Sequence, residues 1–124
     1  MSVHTNLSPS EAESRIRTAL SDEGFGILTE IDVAATLQAK LGIERKPYKI
    51  LGACNPPLAN RALEADESIG LLLPCNVVVY EDDDGTVVSA IEPLMMVELS
   101  PAVQEIADEA HDALERALQR IPVN

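Results

Sequence analysis

A chain of 124 residues with a formal net charge of -12, from nine basic and 21 acidic side chains, has the size of one domain and a surface that repels polyanions. Phosphate backbones and anionic lipid are held by clustered Lys and Arg that displace counterions, so nucleic acid and membrane are set aside as partners. Apolar residues make up 46% of the chain and aromatics only 2%, which leaves the core to Ala, Val, Leu and Ile, with Phe25, Tyr48 and Tyr80 its only rings.

The opening MSVHTNLSPSEAES has neither the basic region nor the apolar run of a signal peptide. Every apolar stretch falls far short of the roughly 20 residues that a bilayer-spanning helix needs. A cytoplasmic setting is therefore expected, and in it the two cysteines are read as free thiols.

Met1 to Leu7 carries a weak strand signal. Ser8-Pro9-Ser10-Glu11 then opens a helix, with Ser8 as cap, Pro9 at the first position and Glu11 answering the Ser8 amide. Ala12, Ile16, Ala19 and Leu20 recur at helical spacing, and Gly24 closes the element. Phe25 to Val33 reads as a strand, with Phe25, Ile27, Thr29, Ile31 and Val33 on one face. Thr36 to Leu41 suggests a short helix that Asp32 can cap and Gly42 ends. Tyr48 to Ala53 is extended and delivers Cys54.

Asn55 is placed to cap the next helix, because Pro56 and Pro57 occupy first-turn positions where their missing donors cost little. Leu58, Ala59, Ala62 and Leu63 form its apolar face. Leu71 to Tyr80 is the strongest strand pattern, interrupted at its start by Pro74 and Cys75, since Val77, Val78 and Val79 suit a pleated setting. An Asp84-Gly85 corner turns the chain into a hairpin partner over Thr86 to Ile91. Leu94 to Leu99 reads as one more strand. Ser100-Pro101 opens a last helix lined by Val103, Ile106, Ala107, Ala110, Leu114, Ala117, Leu118 and Ile121. No linker interrupts residues 1–124, so a single α+β domain is expected.

Chemistry concentrates in two dipeptides, Cys54-Asn55 and Cys75-Asn76, which hold both cysteines. Cys54 stands just before a helix start, whose positive end favours a thiolate or a bound anion. The plainer role competes with this, because cysteine is often a buried small hydrophobe and asparagine a cap. Asn55 and Asn76 could instead supply donors and acceptors to a polar ligand pocket. No CxxC is present, so a redox switch would depend on the two thiols meeting in space.

Arg61 lies about two helical turns beyond Cys54, either as an anion partner or paired with Glu64 or Glu67. Glu30 and Asp32 can share a strand face, as an acid–base pair or as solvated polar groups. His4 and His111 each lack a second histidine at i+4, so zinc is not indicated, and His111 is expected to be exposed or at an edge. Met95-Met96 with the two cysteines could attract Cu(I), although neighbours on a strand point to opposite faces. Phosphate-loop, dinucleotide and nucleophile-elbow signatures are absent, and the acidic run Glu81–Asp84 lacks the spacing of a calcium loop.

The run GFGILTEIDVAATLQAKLG, followed by PYKILGACNPPLANRALEADESIGLLLPCNVVVYE, resembles the DUF302 family of small bacterial and archaeal proteins. The likeness extends from about Ser8 to the final helix. It rests on Gly24-Phe25-Gly26, Thr29-Glu30-Ile31-Asp32-Val33, Ala53-Cys54-Asn55-Pro56 and Pro74-Cys75-Asn76-Val77. The resemblance implies a mostly antiparallel sheet covered by helices, in a TATA-binding-protein-like arrangement, and members that dimerise. It brings no assigned activity, and a shared fold does not bring DNA binding.

The expected function is a small-ligand or regulatory binding domain, working as a homodimer. Its ligand site is placed at Cys54, Asn55, Cys75 and Asn76, with Arg61 beside it. No catalytic residue, metal or cofactor is assigned. A thiol-dependent enzyme, a redox or soft-metal-binding protein, and a structural or protein-interaction module are the competing classes.

Overall fold

In the computed structural model, which describes residues 1–123, a five-stranded antiparallel sheet runs in the order β1-β5-β4-β3-β2. The strands are β1 (Ser2–Thr5), β2 (Gly26–Asp32), β3 (Tyr48–Cys54), β4 (Cys75–Asp82) and β5 (Gly85–Ala90). Five helices accompany them: α1 (Pro9–Asp22), α2 (Val33–Leu41), α3 (Pro56–Ala65), α4 (Met95–Leu99) and α5 (Gln104–Gln119). This is an α+β fold with helices over an antiparallel sheet, as expected. Among the described residues no helix is long and apolar enough to cross a membrane.

Strand alternation decides which side chains go inside. Leu51 and Ala53 of β3, Val77 and Val79 of β4, and Val88 and Ala90 of β5 share one face. Ala12, Ile16 and Leu20 of α1 and Leu114 and Leu118 of α5 close over it. Full burial of each such Val, Leu or Ile contributes about 1.5–3 kcal/mol relative to exposure. A second cluster joins Ala62 of α3, Met96 of α4 and Ile106 of α5 through Ile69 and Val103. The other face of the sheet carries Ile31, Ile50, Val78 and the stacked pair Tyr48–Tyr80, whose ring centroids lie 5.0 Å apart. These residues are half-buried or exposed, with Ile31 at 48%.

The helix starts follow the capping grammar of the sequence. Ser8 Oγ accepts from the Glu11 amide at 3.2 Å, Asp32 Oδ1 from Ala35 at 2.9 Å, and Asn55 Oδ1 from Leu58 at 3.3 Å. The weak first segment is an edge strand, pairing Val3 with Val88 of β5.

Four expectations are corrected. Register shifts between Ile27 and Thr29, so the apolar face predicted for β2 divides. Ile27 stays with the core, Thr29 and Ile31 turn to the open face, and Glu30 turns toward the helices. Leu71 and Leu72 belong to a 3₁₀ turn, Glu67–Leu72, and β4 starts only at Cys75, because Pro74 has no amide for the ladder. Leu94 to Leu99 is helical rather than a strand, because β5 already has β1 and β4 as neighbours and no free edge is offered there. The Met95 and Met96 amides bond locally instead, to the Glu92 and Pro93 carbonyls. The final helix also begins late: Pro101–Val103 forms a 3₁₀ turn, and Ser100 makes no side-chain cap.

Candidate functional site

The pairing of β3 with β4 sets Ala53 opposite Cys75 and Gly52 opposite Asn76. Cys54, the last residue of β3, therefore lies beside Cys75, the first of β4, at one end of the sheet. A small hollow of about 30 Å³ opens there, lined by both cysteines with Phe25, Leu58, Ala62, Pro74, Met96 and Ile106. That volume admits about one water molecule. Both thiols are free, Cys54 half-buried and Cys75 buried. Burial, with the neighbouring Cys54 charge as the lesser cause, pushes the Cys75 thiol up to about 11. Cys75 is thus a neutral thiol at ordinary pH.

Asn55 spends both ends of its side chain on structure. Its Oδ1 caps α3, and its Nδ2 donates to the Glu23 carbonyl at 3.4 Å. That amide presses on Gly24, whose φ of +86° a side chain would rarely adopt, and an added Cβ there would sit 3.1 Å from Nδ2. The turn into β2 and the turn out of β3 are locked together in this way.

Asn76 stands apart from the hollow. It is exposed on the open face, where Cys75 is turned inward, and its carbonyl accepts from the Ile91 amide. Arg61 pairs with Glu109 of α5 at 2.6 Å, rather than with Glu64 or Glu67, because α3 and α5 lie side by side. Together with Asn55, Leu58, Glu109 and Arg116, it lines a separate groove of about 430 Å³. Asn55 and Leu58 line both spaces, and so form the wall between groove and hollow.

At the far end of β3 lies a feature that motif reading missed. Lys49 Nζ sits 3.1 Å from Glu13 and 2.9 Å from Glu30, while Arg17 reaches Glu13 at 2.9 Å and Glu30 at 3.3 Å. Hydrogen bonding to Lys49 holds the Glu30 carboxyl below its ordinary value, and the Glu30 and Glu13 bonds raise Lys49. An open groove of about 490 Å³ adjoins this network, with Ser8, Asp32, Arg45 and Tyr48 on its walls. A signal existed: Lys49 alternates with Leu51 and Ala53 and so belongs to the helix-covered face. Glu30 and Asp32 do not act as a pair, since one is in this network and the other caps α2.

His111 is half-buried, with Nδ1 2.8 Å from Glu92 and Nε2 3.0 Å from Glu115. Its ring nitrogens are occupied by these contacts. His111, Asp112 and Glu115 bring three ligand atoms within 4.8 Å of one another, the two carboxylates being exposed.

The comparisons with known proteins agree with one another. The family model described as domain of unknown function DUF302 matches residues 1–121. The crystal structure of an uncharacterized conserved DUF302 protein from Bacillus stearothermophilus superposes with a TM-score of 0.91 at 34% sequence identity, covering 98% of this chain and 97% of that one. No curated protein matches the sequence.

Proposed function

We infer that this chain, which belongs to the DUF302 family, is a small-ligand or regulatory binding domain whose site is the hollow at Cys54 and Cys75. One observation supports this above the rest: the two cysteines, both free and from neighbouring strands, border the same apolar space. Asn55 and Leu58 form the side of the hollow toward the groove that holds Arg61, so a ligand larger than the hollow enters by displacing that wall. Asn76, a β4 residue exposed on the open face, makes no contact with the hollow. The lining holds no carboxylate, imidazole or amine among the described residues, which favours binding over thiol-dependent catalysis. A buried thiol raised to about 11 is also a poor nucleophile at neutral pH. Free thiols fit a reducing compartment such as the cytoplasm.

The partner in this proposal is a second copy of the chain, laid across the open face of the sheet. A chain of net charge -12 resists self-association where its charges meet. The centre of this face is free of them, with Ile31, Ile50, Val78, Tyr48 and Tyr80 half-buried or exposed. The TATA-binding-protein-like arrangement belongs to the same proposal, with a protein copy where that fold would otherwise offer its sheet to another partner.

Native mass spectrometry of the purified protein tests both parts. We expect a dimer, and an added small-molecule mass that disappears in Ala59→Leu, which fills the hollow without adding charge. A bare mass in the wild type, or an increment unchanged in Ala59→Leu, would overturn the binding reading. A monomer at every concentration would remove the second copy.

A further inference from the structure

Charge is spread unevenly along this chain. All nine basic residues lie outside Ala62–Glu115, a stretch that carries most of the 21 acidic ones. Within that stretch the 3₁₀ turn Glu67–Leu72 rests against both α3 and α4, and Ile69 and Met96 are buried where they meet. The outward sides of the same three elements are also apolar. Leu71 is 81% exposed and Met95 52%, and Leu63, Leu94 and Leu99 are exposed too. Leu63 Cδ2 lies 4.0 Å from the Cβ position of Gly70, the neighbour of Leu71. Bonds from Ser68, and a further one from Ser100, hold the Asp66 carboxyl below its ordinary value, so the end of α4 meets the start of the turn. These contacts join the exposed side chains into one surface. Single apolar side chains on a surface are ordinary, whereas a contiguous group marks an interaction site.

The charges around it narrow the partner. Glu64, Glu67 and Glu98 are exposed on these elements, and among the described residues none of the three has an ion-pair partner. Glu64 accepts a hydrogen bond from Asn60, which leaves its charge uncompensated. Arg61, the basic residue nearest in sequence, is held toward α5 by Glu109. A rim of one sign repels nucleic acid and anionic lipid and draws in Lys and Arg. A second copy is disfavoured for the same reason. In a two-fold dimer this surface would meet itself, setting carboxylate against carboxylate.

We propose that the surface of α3, the 3₁₀ turn and α4 docks a basic amphipathic helix of another protein. The apolar stripe of that helix lies on Leu63, Leu71, Met95 and Leu99, and its Lys and Arg side chains reach Glu64, Glu67 and Glu98. This is recognition by one apolar face with charges at its edges. Burial of the stripe supplies the affinity. The carboxylates choose the sign of the partner, speed its arrival and make the complex sensitive to salt. Met95, unbranched and polarisable, adapts to side chains of different shape. The site is independent of the hollow and of the open face of the sheet, so it stands or falls apart from both.

Fluorescence anisotropy with a labelled peptide of Leu and Lys at helical spacing, about 14 residues long, tests the surface. The full chain should bind it saturably, one peptide per protomer, and more weakly as salt rises. The same peptide with Glu in place of Lys should not bind. Leu71→Ser should weaken binding about tenfold, as loss of an apolar anchor does. Glu98→Lys should weaken it about threefold, whereas Glu44→Lys, the same charge change on a distant loop, should leave it unaltered. All three positions are exposed, so the variants should fold as the wild type does. The proposal is overturned if the Lys peptide does not saturate, or if Leu71→Ser binds it as well as the wild type. Equal losses in Glu98→Lys and Glu44→Lys would also overturn it, since attraction by net charge alone would then suffice. Absence of peptide binding, together with a dimer that Leu71→Ser dissociates in sedimentation, would give the surface to a second copy instead.

Discussion

The two ends of β3 solve opposite problems with the same strand. At its start Lys49 points under the helices and keeps its charge, because the Glu13 and Glu30 carboxylates flank it and solvent still reaches the group. At its finish Ala53 and Cys75 lie against a hollow bordered by Phe25 and Met96, where no charge is present to be satisfied. The wet end tolerates titratable groups by pairing them, and the dry end raises the one thiol it buries. Stability should therefore depend on packing at one end and only weakly on ion pairs at the other.

Truncation at each end puts that difference to the test. Phe25 is 3% exposed and walls the hollow, so Phe25→Ala should cost about 3–5 kcal/mol. Lys49→Met should cost less than about 1 kcal/mol, since partly exposed ion pairs are screened by water and salt. Urea midpoints at equal slope measure both. Comparable losses in the two variants would erase the distinction between a packed end and a paired one.

Asn55 sharpens the comparison, because it is polar yet serves the dry end. Asn55→Ala removes the cap of α3 and the tie to the Glu23 carbonyl, and should cost about 1 kcal/mol, within the usual 0.5–2 kcal/mol for a lost cap. Asn55→Asp keeps an acceptor for the Leu58 amide and adds a favourable charge at the helix start. It should cost clearly less in the same urea titration. Equal losses would mean that the tie to Glu23, rather than the cap, is what Asn55 supplies.

These contrasts also show what one sequence makes legible. Caps at Ser8, Asp32 and Asn55 are local, three-residue relations, and each formed as its spacing implied. The meeting of Cys54 with Cys75 needed only that β3 and β4 be neighbours. The bulge in β2 was hidden because alternation continues unbroken through Leu28, and only the pairing with β3 shows the extra residue. Gly52 could have hinted at it: a Cβ there would strike the Thr29 hydroxyl, and the Pro74 ring at 2.9 Å. Helix α4 was hidden for another reason. Met95 to Leu99 suits a strand or a helix equally, and occupancy of both sides of β5 decides the matter. Arg61 found Glu109 across two helices, a partner that i, i+3 and i, i+4 counting cannot reach.

The smallest effect lies at His111, on the solvent side of α5. Its hydrogen bond to Glu92, aided by the Glu92 and Glu115 charges, raises the imidazole above its ordinary 6.5. A raised value means that the folded state holds the proton more tightly than the unfolded one. The stabilisation is therefore fully present below pH 6.5 and is lost as pH climbs through the folded-state value. Because Glu92 follows β5 while His111 is carried by α5, the ion pair fastens the last strand to the last helix. His111→Gln keeps a polar side chain but cannot charge, so its Tm should change less between pH 5.5 and 8.5 than that of the wild type. Exposed pairs are weak, so the difference should amount to a few degrees at most. A wild-type Tm change matched in full by His111→Gln would mean that the pair contributes nothing and that packing alone holds α5 to the sheet.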